Sequence, residues 1–228
     1  MELKSFLKRF FLGGEVLEKF NSPINGEIVV VENLFGGKEL RVGGVTQSGG
    51  LVKKLWEKIF NYKFEIFNQF LEAKNFRCLI LGLGCGNAAK VVSKKWPKVR
   101  ITGVEIDPVV VELGRKYFGL GEVLNLEIFV ADAIKFISPK YKIHNTKYNL
   151  VLVDLYLGKD YPKEAESKEF LQGLKNILNK DGLVIINRLY YTSSFKKKAK
   201  SFLKKVKEIF SKVETKKAVT NLLIFASN

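Results

Sequence analysis

Thiols and imidazoles are scarce in this chain: two cysteines, Cys78 and Cys85, and one histidine, His144, in 228 residues. Two thiols make no disulfide framework and are too few for a structural zinc site. No metal is therefore expected, and cytosolic residence is the simplest expectation. His144 stands in a polar segment and reads as an exposed loop residue. Uninterrupted apolar stretches of about 18 residues are missing, so neither a membrane span nor a membrane partner is expected. The opening MELKSFLKRFFLGG mixes charges among its apolar residues and lacks the apolar core of a signal peptide.

Acidic residues are also few, 23 against 39 basic ones, which leaves a net charge of +16. Such a surplus raises the prospect of a nucleic-acid partner. Only six of the basic residues are arginine, at 9, 41, 77, 100, 115 and 188. Arginine is the preferred reader of bases and phosphates, so a lysine-dominated surplus does not favour nucleic acid. The run of lysines from Lys196 to Lys205 reads first as a solvated helix face.

What is present is an ordinary globular composition, 46% hydrophobic and 27% charged, enough to bury one large domain with a small appendage. Leu3, Phe6, Leu7, Phe10 and Phe11 recur at helical spacing and predict a helix over 2–20. GEIVVVEN and KELRVGG, separated by Phe35-Gly36-Gly37, predict a hairpin within 22–48, followed by a loop around Thr46-Gln47-Ser48. Helical spacing returns over 51–73. From Arg77 onward, short apolar runs alternate with amphipathic ones: CLILGLG, ITGVEID, LEIFVAD, YNLVLVDLY and GLVIINR as strands, with helices between them and a long helix over 196–213. VETKKAV and NLLIFAS read as a closing antiparallel pair. The expected fold is α/β, a doubly wound, mostly parallel sheet of seven strands. Residues 1–50 form an N-terminal helix and hairpin region, and 51–228 the α/β domain.

Three strand ends carry the chemistry. The first closes in Gly82-Leu83-Gly84-Cys85-Gly86-Asn87. A dinucleotide fingerprint, GxGxxG, wants a small residue at position 87, where Asn87 stands. GxGxG is instead the pattern of domains that bind S-adenosylmethionine (AdoMet), a ligand without pyrophosphate. Glu105 ends the second strand about twenty residues on, where a carboxylate accepts both ribose hydroxyls. Asp132 ends the third, placed to accept from an adenine amino group, with the Ala133 backbone against the ring. Gly86 and Ile106 complete the set, and Asp107 reads as the cap of the following helix. At the fourth strand end Asp154 lies where the reactive carbon would sit and can take a proton from an attacking amine. Tyr156, Asp160 and Tyr161 are candidate walls of an acceptor pocket. Cys85 reads first as a small space-filling residue, with a reactive thiol as the alternative.

Together SPINGEIVVVEN, ELRVGGVTQSGG, LGLGCG, GVEIDP, ADAIKFI and YNLVLVDLY resemble the spermidine synthase-like, polyamine aminopropyltransferase branch of the AdoMet-dependent transferases, over about 22–188. The resemblance implies a transferase that uses decarboxylated AdoMet or AdoMet to alkylate a small-molecule amine. It implies cofactor or catalytic positions at Gln47, Gly82, Gly84, Glu105, Asp132 and Asp154, with Asp154 deprotonating the amine, and a possible homodimer. Three motifs depart from the family. Its GGGDG loop carries aspartate where Cys85 stands. Its Tyr-His-Glu is replaced by Leu55-Trp56-Glu57, and its DSSDP-like loop by DLYLGKDYP. A carboxylate in the glycine loop would repel the carboxylate of AdoMet, and Cys85 removes that repulsion. Methyl transfer to a small molecule or RNA, and a non-catalytic module that binds AdoMet or methylthioadenosine, are the alternatives.

Overall fold

The computed structural model describes residues 14–62, 67, 75–138 and 146–228. Leu3 through Phe11 and His144 therefore lie outside the described residues.

Four strands, β1 (Glu15–Ser22), β2 (Gly26–Glu32), β3 (Lys38–Val42) and β4 (Val45–Gly49), form an antiparallel sheet in chain order. Ile28 pairs with Val42 and Val30 with Leu40. All four are buried against Val110 and Leu113 of the α/β domain, so the alternation of the strands puts one face inward. The helix expected over 2–20 is corrected at its C-terminal part, since Glu15–Ser22 is strand. Leu17 and Phe20 are three residues apart, which imitates a helix. A bulge between Val16 and Glu18 inserts an extra residue, and Leu17 and Phe20 both pack on the inner cluster. The expected hairpin is likewise too small: Thr46, Gln47 and Ser48, read as loop, belong to β4, which leads directly into α1 (Gly50–Tyr62).

The second sheet has seven strands: β5 (Arg77–Leu81), β6 (Arg100–Glu105), β7 (Leu126–Val130), β8 (Tyr148–Val153), β9 (Leu178–Leu189), β10 (Lys212–Ala218) and β11 (Asn221–Ser227). Their spatial order is β10-β11-β9-β8-β5-β6-β7. β5 through β9 are mutually parallel, and β11 enters antiparallel between β9 and β10. Between the strands run α2 (Asn87–Lys95), α3 (Pro108–Phe118), the short α4 (Ala133–Phe136), α5 (Lys168–Asn176) and α6 (Ser193–Ile209).

Neighbouring strand residues feed opposite cores. Cys78, Ile80, Leu150, Leu152 and Ile185 join one cluster, while Leu79, Leu81, Val151, Val153 and Ile186 join the other. A sheet covered on both faces requires the near-continuous apolar runs seen in the sequence. The helix expected to reach 213 ends at Ile209, because Phe210 is already extended and Lys212 opens β10. Strand order reverses between β5 and β8, and a crevice opens there beyond the carboxyl ends of the strands.

Candidate active site

The glycine loop after β5 is shaped by its neighbours. Gly82 has φ +84°, and a Cβ there would fall 2.2 Å from the carbonyl oxygen of Asp154. Only glycine lets the end of β8 come so close. Gly84, φ +54°, donates its N–H to Glu105 Oε2 at 2.8 Å, and the Cys85 N–H goes to Ser48 Oγ at 3.1 Å. Gly86 caps α2 in the left-handed region and faces Leu120, whose Cδ1 lies 2.4 Å from where a Cβ would stand.

Glu105 ends β6 and is 8% exposed. Its second oxygen accepts N–H groups of Ile106 at 2.9 Å and Asp107 at 3.2 Å. Burial raises its pKa, and the three backbone donors oppose that rise. The side chain is thus fixed before any ligand arrives. Asp107 caps α3, as expected, through the Val109 N–H. It also accepts Ser22 Oγ and Asn25 Nδ2, tying the β1–β2 turn to the second sheet. Asp132 caps α4 through one oxygen, which accepts from Ile134 at 2.8 Å.

These residues share a cavity of about 540 Å³. Gln47, Gly82, Gly84, Glu105, Ile106, Asp132, Ala133, Asp154 and Tyr156 all line it. Gly86, Asp160 and Tyr161 are not among its lining residues. Tyr161 packs behind Tyr156, ring centroids 5.3 Å apart, under the Arg188 guanidinium at 3.8 Å. Gln47 Nε2 donates to the Gly158 carbonyl at 2.7 Å, joining β4 to the loop after β8. Ser48, Trp56 and Glu164 also line the cavity, and sequence reasoning assigned them no role there. Four carboxylates therefore meet at the cavity, Glu105, Asp132, Asp154 and Glu164, against one lysine, Lys135. In a chain of net charge +16 this is a local reversal of sign.

At the end of β8, Asp154 accepts Asn187 Nδ2 at 2.8 Å through Oδ1. Burial lifts its pKa to about 6, with the Asn187 bond pulling the other way. Tyr156 Oη accepts the Leu189 N–H at 2.6 Å, which fixes its ring, and burial pushes its phenol up. Asn187 was missed in the sequence. The available signal was a polar residue in the apolar run GLVIINR, since a buried amide needs partners. Cys85 is fully buried and its thiol is pushed up to about 12 by burial, so it fills space and stays protonated at neutral pH. Among the described residues no group of three or more His, Cys, Asp or Glu could hold a metal, and no helix is long and apolar enough to cross a membrane.

A polyamine aminopropyltransferase of Vibrio vulnificus (strain CMCP6) is 31% identical over 111 residues, 49% of this chain and 37% of that protein. The eEF1A lysine and N-terminal methyltransferase of Mus musculus is 32% identical over 115 residues, 48% of this chain and 16% of that one. The chain thus spans well under half the length of either curated relative. A probable spermidine synthase from Corynebacterium glutamicum ATCC 13032 superposes with a TM-score of 0.75 at 20% identity, covering 94% of this chain and 80% of that one, which shows the fold. The Spermine/spermidine synthase domain model matches residues 63–227, which take in every strand of the larger sheet, and the chain belongs to that family.

Proposed function

We propose that the cavity binds AdoMet or decarboxylated AdoMet and that the protein transfers an alkyl group from its sulfonium to a small-molecule amine. The observation that carries the proposal is the joint placement of Glu105 and Asp154 in one cavity, the former fixed by three backbone donors, the latter half-buried with one oxygen anchored. The donor set fits such a ligand. Glu105 accepts the ribose hydroxyls. Asp132, which uses one oxygen for its cap, accepts from the adenine amino group with the other, and Ile106, Ala133 and Ile134 offer apolar contact to the ring.

When bound, the ligand supplies an electrophilic carbon and a thioether leaving group. The chain supplies orientation and charge. An alkylammonium must lose a proton before its lone pair can attack, and Asp154 takes that proton. Tyr156 walls the acceptor side. The carboxylates of the cavity draw in the cationic reactants and hold them together.

Methyl transfer is the second reading, favoured by one observation: a neutral, buried Cys85 occupies the loop position where family aminopropyltransferases carry aspartate. Calorimetric titration with AdoMet, decarboxylated AdoMet, methylthioadenosine and NAD tests both readings. At least one adenosine-sulfur ligand should bind tenfold or more tightly than NAD, about 1.4 kcal/mol. Equal or tighter NAD binding would overturn the proposal. Glu105→Ala should then cost about 2 to 4 kcal/mol in affinity for the preferred ligand, through lost charged hydrogen bonds.

A further inference from the structure

A chain of hydrogen bonds runs from the β10–β11 turn to the reacting end of the cavity. Thr220 Oγ1 donates to Asn221 Oδ1 at 2.7 Å. Asn221 Nδ2 donates to Asn187 Oδ1 at 2.8 Å, and Asn187 Nδ2 donates to Asp154 Oδ1 at 2.8 Å. Asn187 is 4% exposed and Asn221 8%. Two buried amides in the antiparallel strands β9 and β11 are costly unless each polar end is used, and here both ends of both are used.

The direction of the chain follows from charge. An ionised carboxylate only accepts, so Asn187 must offer it the NH₂ end. Its oxygen is then left to accept from Asn221, whose own oxygen accepts the Thr220 hydroxyl. Turning either amide over would set oxygen against oxygen. The turn is held in place in its own right, since the Tyr190 N–H donates to the Thr220 carbonyl at 2.7 Å.

We infer that Asn187, oriented by Asn221 and Thr220, is a positioning residue that anchors one oxygen of Asp154 and leaves the other facing the acceptor amine. This rests on the reading of Asp154 as the proton acceptor. Among the described residues, Tyr156 and Tyr161 on the loop after β8 feel the charge of Asp154, and Arg188 on β9 lies beside both phenols. Burial keeps both phenols neutral at pH 7, and Arg188 is paired with Glu166 at 2.5 Å. The anchoring amide thus counters the burial that raises Asp154.

The test is a carboxyl ¹³C NMR titration of protein labelled at aspartate, with the Asp154 resonance identified by its loss in Asp154→Asn. The wild-type midpoint is expected at about 6. Asn187→Leu keeps the volume and removes the donor, and its midpoint should rise by about one pH unit or more, the size of one charged hydrogen bond. Asn221→Ala leaves the donor but frees it to turn, and should raise the midpoint by less. An unchanged midpoint in both variants, with the amide spectrum of the folded protein retained, would overturn the inference. If Asn187→Leu does not fold, Asn221→Ala decides alone: a rise supports the anchoring and no change overturns it. The two readings fail separately. Full turnover in Asp154→Asn would remove Asp154 as proton acceptor, while the midpoints would still report whether Asn187 anchors it.

Discussion

The glycine loop is usually explained by what it leaves room for in a ligand. At Gly82 the first demand comes from the protein itself, because the Asp154 carbonyl occupies the space a Cβ would need. Gly82→Ala must therefore strain a positive φ and push β8 away at Asp154, the proposed proton acceptor. The expected outcome is a loss of more than about 2 kcal/mol in stability by urea denaturation, together with weaker nucleoside binding. Stability within about 0.5 kcal/mol of the parent would show that the approach of the two strand ends is not tight. Asp154 also fixes a sign for pH dependence. Burial lifts its folded pKa to about 6, above the usual value of 3.8, so the folded protein holds its proton more readily than the unfolded chain. The linked destabilisation appears as pH rises from about 4 to 6 and persists above. Proton acceptance needs the ionised form, so kcat/KM of the free enzyme should fall tenfold per unit as pH drops below about 6.

Elements bring these residues together through a few contacts between distant segments. Asp107 is fully buried and serves three groups at once: the Val109 N–H of α3, Ser22 Oγ and Asn25 Nδ2. It caps one helix and docks the N-terminal sheet. Asp107→Ala should lower stability by about 3 kcal/mol, a cap of about 1 plus buried groups left without a partner. A lower urea midpoint with unchanged slope is the measurement. Four of the five alternating core strands were legible in the sequence as apolar runs ending in glycine or acid: LGLG, GVEID, FVAD and LVD. Glu105 and Asp132 could be placed at the same cavity from those endings alone. β1 was not legible, since its bulge puts Leu17 and Phe20 at helical spacing on one face. Nor was Tyr161's retreat behind Tyr156, which depends on Arg188 arriving from β9, 27 residues later in the chain. Asn187 and Asn221 escaped for the same reason: their partners are set by β11 entering antiparallel beside β9, a long-range pairing that no local pattern announces.

On the scale of the whole molecule, a positive protein encloses an acidic cavity. The net charge is +16, yet four carboxylates and one lysine line the cavity. A cationic amine is repelled from afar and attracted near the site. Salt screens the distant field first, as the Debye length shrinks from about 30 Å at 0.01 M to about 8 Å at 0.15 M. For a cationic acceptor, kcat/KM should therefore rise between those concentrations, and a fall would mean that the cavity dominates even at long range. The lysines that set the overall sign lie largely on exposed faces such as that of α6, where they touch neither Glu105 nor Asp154.

The central claim is that the cavity holds an adenosine-sulfur ligand while Asp154 takes the proton from an attacking amine. Asp154→Asn keeps the shape, removes the charge and leaves Glu105 and the glycine loop in place. Amine turnover and calorimetric nucleoside affinity, measured side by side in wild type and Asp154→Asn, test that claim most directly. The account predicts that turnover falls at least a hundredfold, about 2.7 kcal/mol or more in the barrier, while affinity changes less than about threefold. Lost affinity with normal residual turnover would contradict it and assign Asp154 to holding the nucleoside instead.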